Sequence, residues 1–293
     1  MSSAAWIAWQ DLGVRFWINA GFLEADQLIP IARAAERLGY AGITLPDHLF
    51  LPERYESRYP YSADGTITWQ PEAPWPDCWV AIGAMAAATE RLRFGTSVYI
   101  GPLRNTLAVA KAVGTCAALA PNRVMCGLGA GWMREEFDIV GQDFETRGKR
   151  LDEMIATLPA LWSGNVVDAD GDHVAFPALR MRPPAGRVPI LVGGNTKPAL
   201  RRAAQADGWI AAFTGLEELE VMLEEFDACR ERFGRADQSR EVLVTATPSI
   251  VKHRGRLGEI GVDGVVIPAV MLSESFATVD LVSGLERYAE GWP

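Results

Sequence analysis

The sequence predicts an α/β protein built as a (β/α)8 TIM barrel with two insertions. Eight short apolar runs alternate with eight stretches of helical spacing across 293 residues, and a barrel of this kind has about that length. Most of the runs are near-continuously apolar, as strands covered on both faces require, and parallel sheets are the sheets so covered. The rival is an open doubly wound sheet, which carries a glycine-rich turn after its first strand. That place here reads NAGFLEAD, with one glycine.

The first run, VRFWINA (14 to 20), leads into a helix signal in which Leu28, Ile31, Ala35 and Leu38 share a face. Asp26 is placed as its cap, Pro30 falls in its first turn and Gly39 stands just past its end. GITLP (42 to 46) opens onto the long connection 47–76, which holds Tyr55, Tyr59, Tyr61, Trp69 and Trp75. Such aromatic density suits a pocket wall over a flat ligand, or else a self-packed surface loop. A helix over 77–89 precedes LRFGTSVYI (92 to 100), and an Ala-rich helix over 105–119 starts after Asn105. RVMCGLG (123 to 129) is followed by a helix over 145–162 with Leu151, Ile155, Leu158 and Trp162 on one stripe.

The second long connection, 163–187, begins rich in Asp and Gly and ends rich in Pro. VPILVGG (188 to 194), GWIAAF (208 to 213), VLVTATPSIV (242 to 251) and GVVIPAV (264 to 270) complete the strands, with helices over 197–206, 216–233, 253–260 and 275–290. The expectation is one domain over 1–293, with 1–11 as an N-terminal extension and with 47–76 and 163–187 as insertions.

Composition excludes several classes. Lys and Arg number 28 against 37 Asp and Glu, a formal charge of −9 with no basic stripe, so nucleic acid is not an expected partner. No apolar run approaches the roughly 18 residues of a membrane span, and MSSAAWIAWQ lacks the pattern of a secretory signal, so a cytoplasmic protein without membrane partners is expected. Cys78, Cys116, Cys126 and Cys229 form no CxxC pair and read as core fillers. Only His48, His173 and His253 are present, which argues against a multi-histidine metal site.

In a barrel of this type chemistry sits where strands end. The candidates are Asn19 with Gly21, Asp47 with His48, Ser97 with Val98, Gly127 to Trp132, Gly193 to Asn195, and Phe213 with Thr214. GLGAGW (127 to 132) has the spacing GxGxG, which does not fit a dinucleotide fingerprint and is also what a tight turn gives. GGNTKPALRRAA (193 to 204) is a phosphate cradle candidate: Thr196 can cap, Pro198 suits a first turn, and Lys197 adds charge or is merely solvated. Asp47 and His48 together suit moving a proton, or bracing a loop. Arg147, Arg150, Asp152 and Glu153 have the spacing of an ion-pair lattice and are left out of the site.

Four blocks in order carry a family resemblance: LPDHLF (45 to 50), WPDCWVAIGAMAAATERLRFGTSVYIGPLRNTLAVAK (75 to 111), GLGAGWMREEFDIVGQDFETRGKRLDEMIATLPALW (127 to 162) and ILVGGNTKPALRRAAQADGW (190 to 209). They resemble the bacterial luciferase-like superfamily, in its branch of coenzyme F420-dependent oxidoreductases. The resemblance implies a TIM barrel, usually dimeric, that holds F420 or a flavin at the carboxyl ends of its strands. It implies hydride transfer between the deazaflavin and a small organic substrate, with His48 and Asp47 as the catalytic pair and Asp47 near the ring. It places the cofactor along Thr96, Ser97 and Val98, with a non-proline cis peptide near Ser97 and Val98, and along Gly129, Ala130, Gly131, Trp132, Gly193, Gly194 and Asn195. No metal is implied. The alternatives are an FMN-dependent monooxygenase using dioxygen and, from another class, a non-catalytic flavin carrier. Trp132 stands where some alcohol dehydrogenases of the family carry a glutamate, so that acid does not transfer. Asn122 replaces a frequent glycine and keeps its tolerance of left-handed backbone.

Overall fold

A computed structural model describes residues 13–290, so the expected extension at 1–11 lies outside the described residues. Eight parallel strands close on themselves in chain order: β1 (Arg15–Asn19), β2 (Gly42–Leu45), β3 (Arg93–Thr96), β4 (Val124–Gly129), β5 (Ile190–Gly193), β6 (Gly208–Ala211), β7 (Glu241–Thr245) and β8 (Gly264–Pro268). β8 returns to β1 with Arg15 opposite Gly264 and Asn19 opposite Pro268. β3 continues after a bulge as Tyr99–Ile100, which also pairs with β4. This is the predicted barrel.

Strand side chains alternate between two faces. Trp17, Met125, Leu191, Ile210, Leu243 and Val266, from six strands, fill the interior as one cluster, so the barrel is a packed core. At the amino-terminal rim the Arg93 guanidinium lies 4.9 Å from the Trp17 ring centroid and binds both oxygens of Glu241 at 2.9 and 3.0 Å.

The helices include α1 (Leu28–Arg37), α2 (Cys78–Ala87), α3 (Thr106–Leu119), α4 (Arg134–Ile139), α5 (Arg147–Trp162), α6 (Lys197–Gln205), α7 (Leu216–Arg232) and α8 (Thr278–Glu290). Side-chain oxygens satisfy amides that the first turn leaves unpaired. Asp77 accepts from Trp79 and Val80 ahead of α2, Asn105 from Leu107 and Ala108 ahead of α3, and Thr196 from Ala199 at α6. At α1 the expected cap is displaced: Gln27, not Asp26, occupies that position and makes no side-chain cap. Its amide instead accepts from the Glu24 N–H and donates to the Phe276 carbonyl, tying the helix start to the C-terminal segment. Gly39 and Asn122 take positive φ, as expected of helix-ending and turn positions.

The insertion 163–187 folds back on itself, with Val166–Asp170 and Ala175–Arg180 forming an antiparallel hairpin. Two expectations are corrected. The run 242–251 stops as a strand at Thr245, because Thr247 caps a short helix at Pro248–Lys252. The helix expected over 253–260 shrinks to a 3-10 turn at Arg254–Arg256. All four cysteines are free and buried. Among the described residues no helix is long and apolar enough to cross a membrane.

Candidate active site

The carboxyl ends of β2, β3, β4 and β5 meet at one rim because these strands are consecutive neighbours in the barrel. The peptide between Ser97 and Val98 is cis, at the place the resemblance implied. Val98 lies over the ends of the next two strands. A Cβ on Gly129 would approach its Cγ2 to 2.5 Å, and one on Gly193 would approach its Cγ1 to 2.3 Å. Both glycines therefore make room for Val98, and the three residues form a smooth floor. Thr96 does not join it. Its hydroxyl donates to the Gly127 carbonyl (2.7 Å) and accepts from the Gly127 N–H (3.1 Å), and its side chain is fully buried, so it braces β3 to β4 and has no surface for a cofactor.

The Asp47–His48 pair is divided between two partners. Asp47 turns to Arg104, which donates to both carboxylate oxygens at 2.5 and 2.9 Å, and it also accepts from the Ile100 N–H at 2.9 Å. Asp47 thus holds the bulge after β3 in place. Burial works against the Arg104 charge, but the Asp47 carboxylate outweighs it and keeps the guanidinium above its ordinary value. Arg104 also covers the Tyr99 ring at 4.1 Å, so it is stacked as well as paired.

His48 is oriented by Glu136, a residue that the sequence analysis did not single out. His48 Nδ1 lies 2.8 Å from Glu136 Oε2, while Oε1 accepts the Leu49 N–H at 2.9 Å. The Glu136 side chain is 0% exposed and that of His48 7%. Its neighbour Glu135 serves the wall instead, accepting from the Glu56 and Ser57 amides at 2.6 and 3.1 Å. Burial alone would raise the Glu135 pKa, but the Glu56 amide and the hydroxyl and amide of Ser57 outweigh it and hold the pKa below the ordinary glutamate value. The only sequence signal for either role was the pair of carboxylates in REEF, directly after the glycine loop.

The aromatic segment packs on His48. Trp75 meets the imidazole edge-on at 4.7 Å between centroids, and Trp69 and Trp132 each lie at 5.7 Å. Tyr59 packs on Trp69 and Trp132, and Tyr61 reaches the space above Gly194. The indole N–H groups of Trp69 and Trp75 are buried with no acceptor among the described residues. The same is true of Trp17 and Trp79, which do not pack on His48.

Of the remaining expected contacts, Gly131 has φ +84 and its carbonyl accepts from Arg147 at 3.3 Å. Ala130 and Gly131 thus turn the chain from β4 toward α4. Asn195 braces the ends of β5 and β6, donating to the Ala212 carbonyl and accepting its N–H at 2.6 and 3.0 Å. Gly194, φ +116, leads into the amino end of α6, where Ala199 donates to the Thr196 hydroxyl, Leu200 donates to the Thr196 carbonyl and Pro198 has no N–H, so the Lys197 N–H is the first-turn amide left for an anion. The ion-pair lattice expected among the α5 residues is not what forms: Asp152 pairs with Arg202, Glu153 accepts the amides of His173 and Val174, and Arg147 donates to the Gly131 and Phe144 carbonyls, so each turns to a partner outside the four. A separate cavity of about 540 Å³ lies beyond Arg104, lined by Asn105, Arg150 and His173 among others, and His48 does not line it.

The family follows from sequence. The family model described as luciferase-like monooxygenase matches residues 14–255, and the chain belongs to that family of oxidoreductases. An uncharacterised protein of Mycobacterium tuberculosis is 34% identical over 282 residues, covering 94% of this chain and 98% of the relative. An F420-dependent glucose-6-phosphate dehydrogenase of the same species is 31% identical over 238 residues, covering 78% of this chain and 65% of the relative. Among solved structures, an F420-dependent secondary alcohol dehydrogenase superposes with a TM-score of 0.75 at 16% identity over 95% of this chain and 99% of the other, a likeness of fold.

Proposed function

We propose that this protein is a deazaflavin-dependent oxidoreductase that moves hydride between coenzyme F420 and a small organic substrate held beneath the aromatic wall. One observation carries the reading. An imidazole fixed by a buried carboxylate stands at the strand ends, beside a floor of Val98, Gly129 and Gly193 on which the two glycines raise no side chain. The residues present fit such a group: the floor is smooth, two buried indole donors lack acceptors among the described residues, and the start of α6 suits a phosphate.

When bound, the deazaflavin supplies the carbon that takes or gives hydride. The chain does the rest. His48 moves the accompanying proton, Asp47 and Arg104 fix the bulge that presents Ser97 and Val98, and the wall excludes water. Gly194 and the amino end of α6 hold the phosphate tail.

The test is an absorbance titration of the apo-protein with F420 and with FMN. Binding of F420 supports the reading; tight FMN retention with no affinity for F420 overturns it. FMN would favour the second reading, a dioxygen-using monooxygenase, which the description of the matching family model supports. We read the protein as a homodimer through α2, where Val80 (74% exposed), Ala84 and Ala87 recur on the outer face. A monomeric mass by light scattering would end that part of the proposal.

A further inference from the structure

We propose that Glu136 is a positioning residue that sets which nitrogen of His48 carries the proton, holding it on Nδ1 and leaving Nε2 as an acceptor. The proposal rests on the reading of His48 as the proton-handling group and deepens it. Glu136 is fully buried and each of its oxygens faces one partner. Oε1 is committed, because the Leu49 N–H is a backbone donor and has no other role. Oε2 faces Nδ1 of His48, and a carboxylate has no hydrogen to offer, so the hydrogen in that contact belongs to the imidazole. Nε2 has no hydrogen-bond partner among the described residues; the groups packed on the ring are Trp69, Trp75 and Trp132. The neutral ring therefore presents a lone pair on the side away from Glu136. It takes a proton from a reactant to become an imidazolium whose Nδ1–H remains on Glu136.

The same geometry makes a sharp statement about the isosteric amide. In Glu136→Gln the Leu49 N–H still requires an acceptor, so it claims the carbonyl oxygen and turns the amide NH2 toward His48. Nδ1 must then accept, and the proton moves to Nε2. The substitution preserves shape and inverts the polarity of the working nitrogen.

The experiment is two-bond 1H–15N correlation NMR on the apo-protein labelled at histidine, at a pH where the ring is neutral. Only three histidines contribute, and His48 is assigned by its loss in His48→Ala. The expected result is Nδ1–H for the wild type and Nε2–H for Glu136→Gln. Cofactor affinity is expected to persist in that variant, with kcat lower by about 10²- to 10⁴-fold, the range seen when a general base is lost or held in the wrong tautomer. Nε2–H in the wild type, or Nδ1–H retained in the variant, overturns the proposal. If the variant does not fold, the wild-type spectrum decides alone. Because no cofactor is present, a failed F420 titration would sink the functional reading while leaving this result standing.

Discussion

Val98 Cγ1 stands 2.3 Å from where a Gly193 Cβ would sit, so one side chain serves two strands' worth of floor. Overpacking such a site costs about 1–3 kcal/mol. Gly193→Ala is expected to lower stability by that amount in urea unfolding. In a Val98→Ala background the same substitution should cost much less, since the colliding methyl is gone. Equal costs in both backgrounds would show that the contact is not what forbids the side chain.

Arg104 and Asp47 form a nearly buried pair, with side chains 14% and 3% exposed. Arg104→Ala strands a buried carboxylate, and a loss of about 3–5 kcal/mol is expected. The double variant Asp47→Ala/Arg104→Ala should recover part of that loss, because no uncompensated charge remains. Chemical denaturation of the three variants measures both.

His48→Ala should lower turnover by about 10²- to 10⁴-fold while leaving cofactor affinity largely intact. Steady-state kinetics and the absorbance titration read the two effects separately. A carrier would have no turnover to lose, and a variant that lost cofactor binding instead would show the imidazole to be a contact to the ring.

Glu135 binds the wall through the amides of Glu56 and Ser57, and its pKa is held below the ordinary glutamate value. A depressed carboxyl contributes stability above its unfolded pKa and loses it as pH falls through the folded value. Acidification through that range should loosen residues 50–76 before the barrel unfolds, and Glu135→Ala should do so at neutral pH. Hydrogen exchange of that segment is the measurement; protection unchanged by either would refute the anchoring role.

Much of the fold was legible because it is written in local signals. Asp77, Asn105 and Thr196 cap the helices they precede, and the strand runs end close to where apolar continuity ends. The hairpin at 166–180 was missed because neither strand has a fully buried residue: half-exposed and exposed residues are mixed along both, so no apolar run marks them. At the site, His48 and Asp47 were legible and their partners were not. Glu136 lies 88 residues from His48 and Arg104 lies 57 from Asp47, distances over which sequence spacing carries no geometry. Adjacent residues in DH suggested a mutual pair, and the fold sends each to a different carboxylate or guanidinium instead.

The six-residue helix α4 places Glu135 and Glu136 side by side, one fastened to the aromatic segment and the other to the imidazole. Their duties are separable. The first attachment rests on a half-exposed residue, whereas the second is sealed in the interior. The carboxylate that aims the imidazole therefore does not depend on the one that fastens the segment.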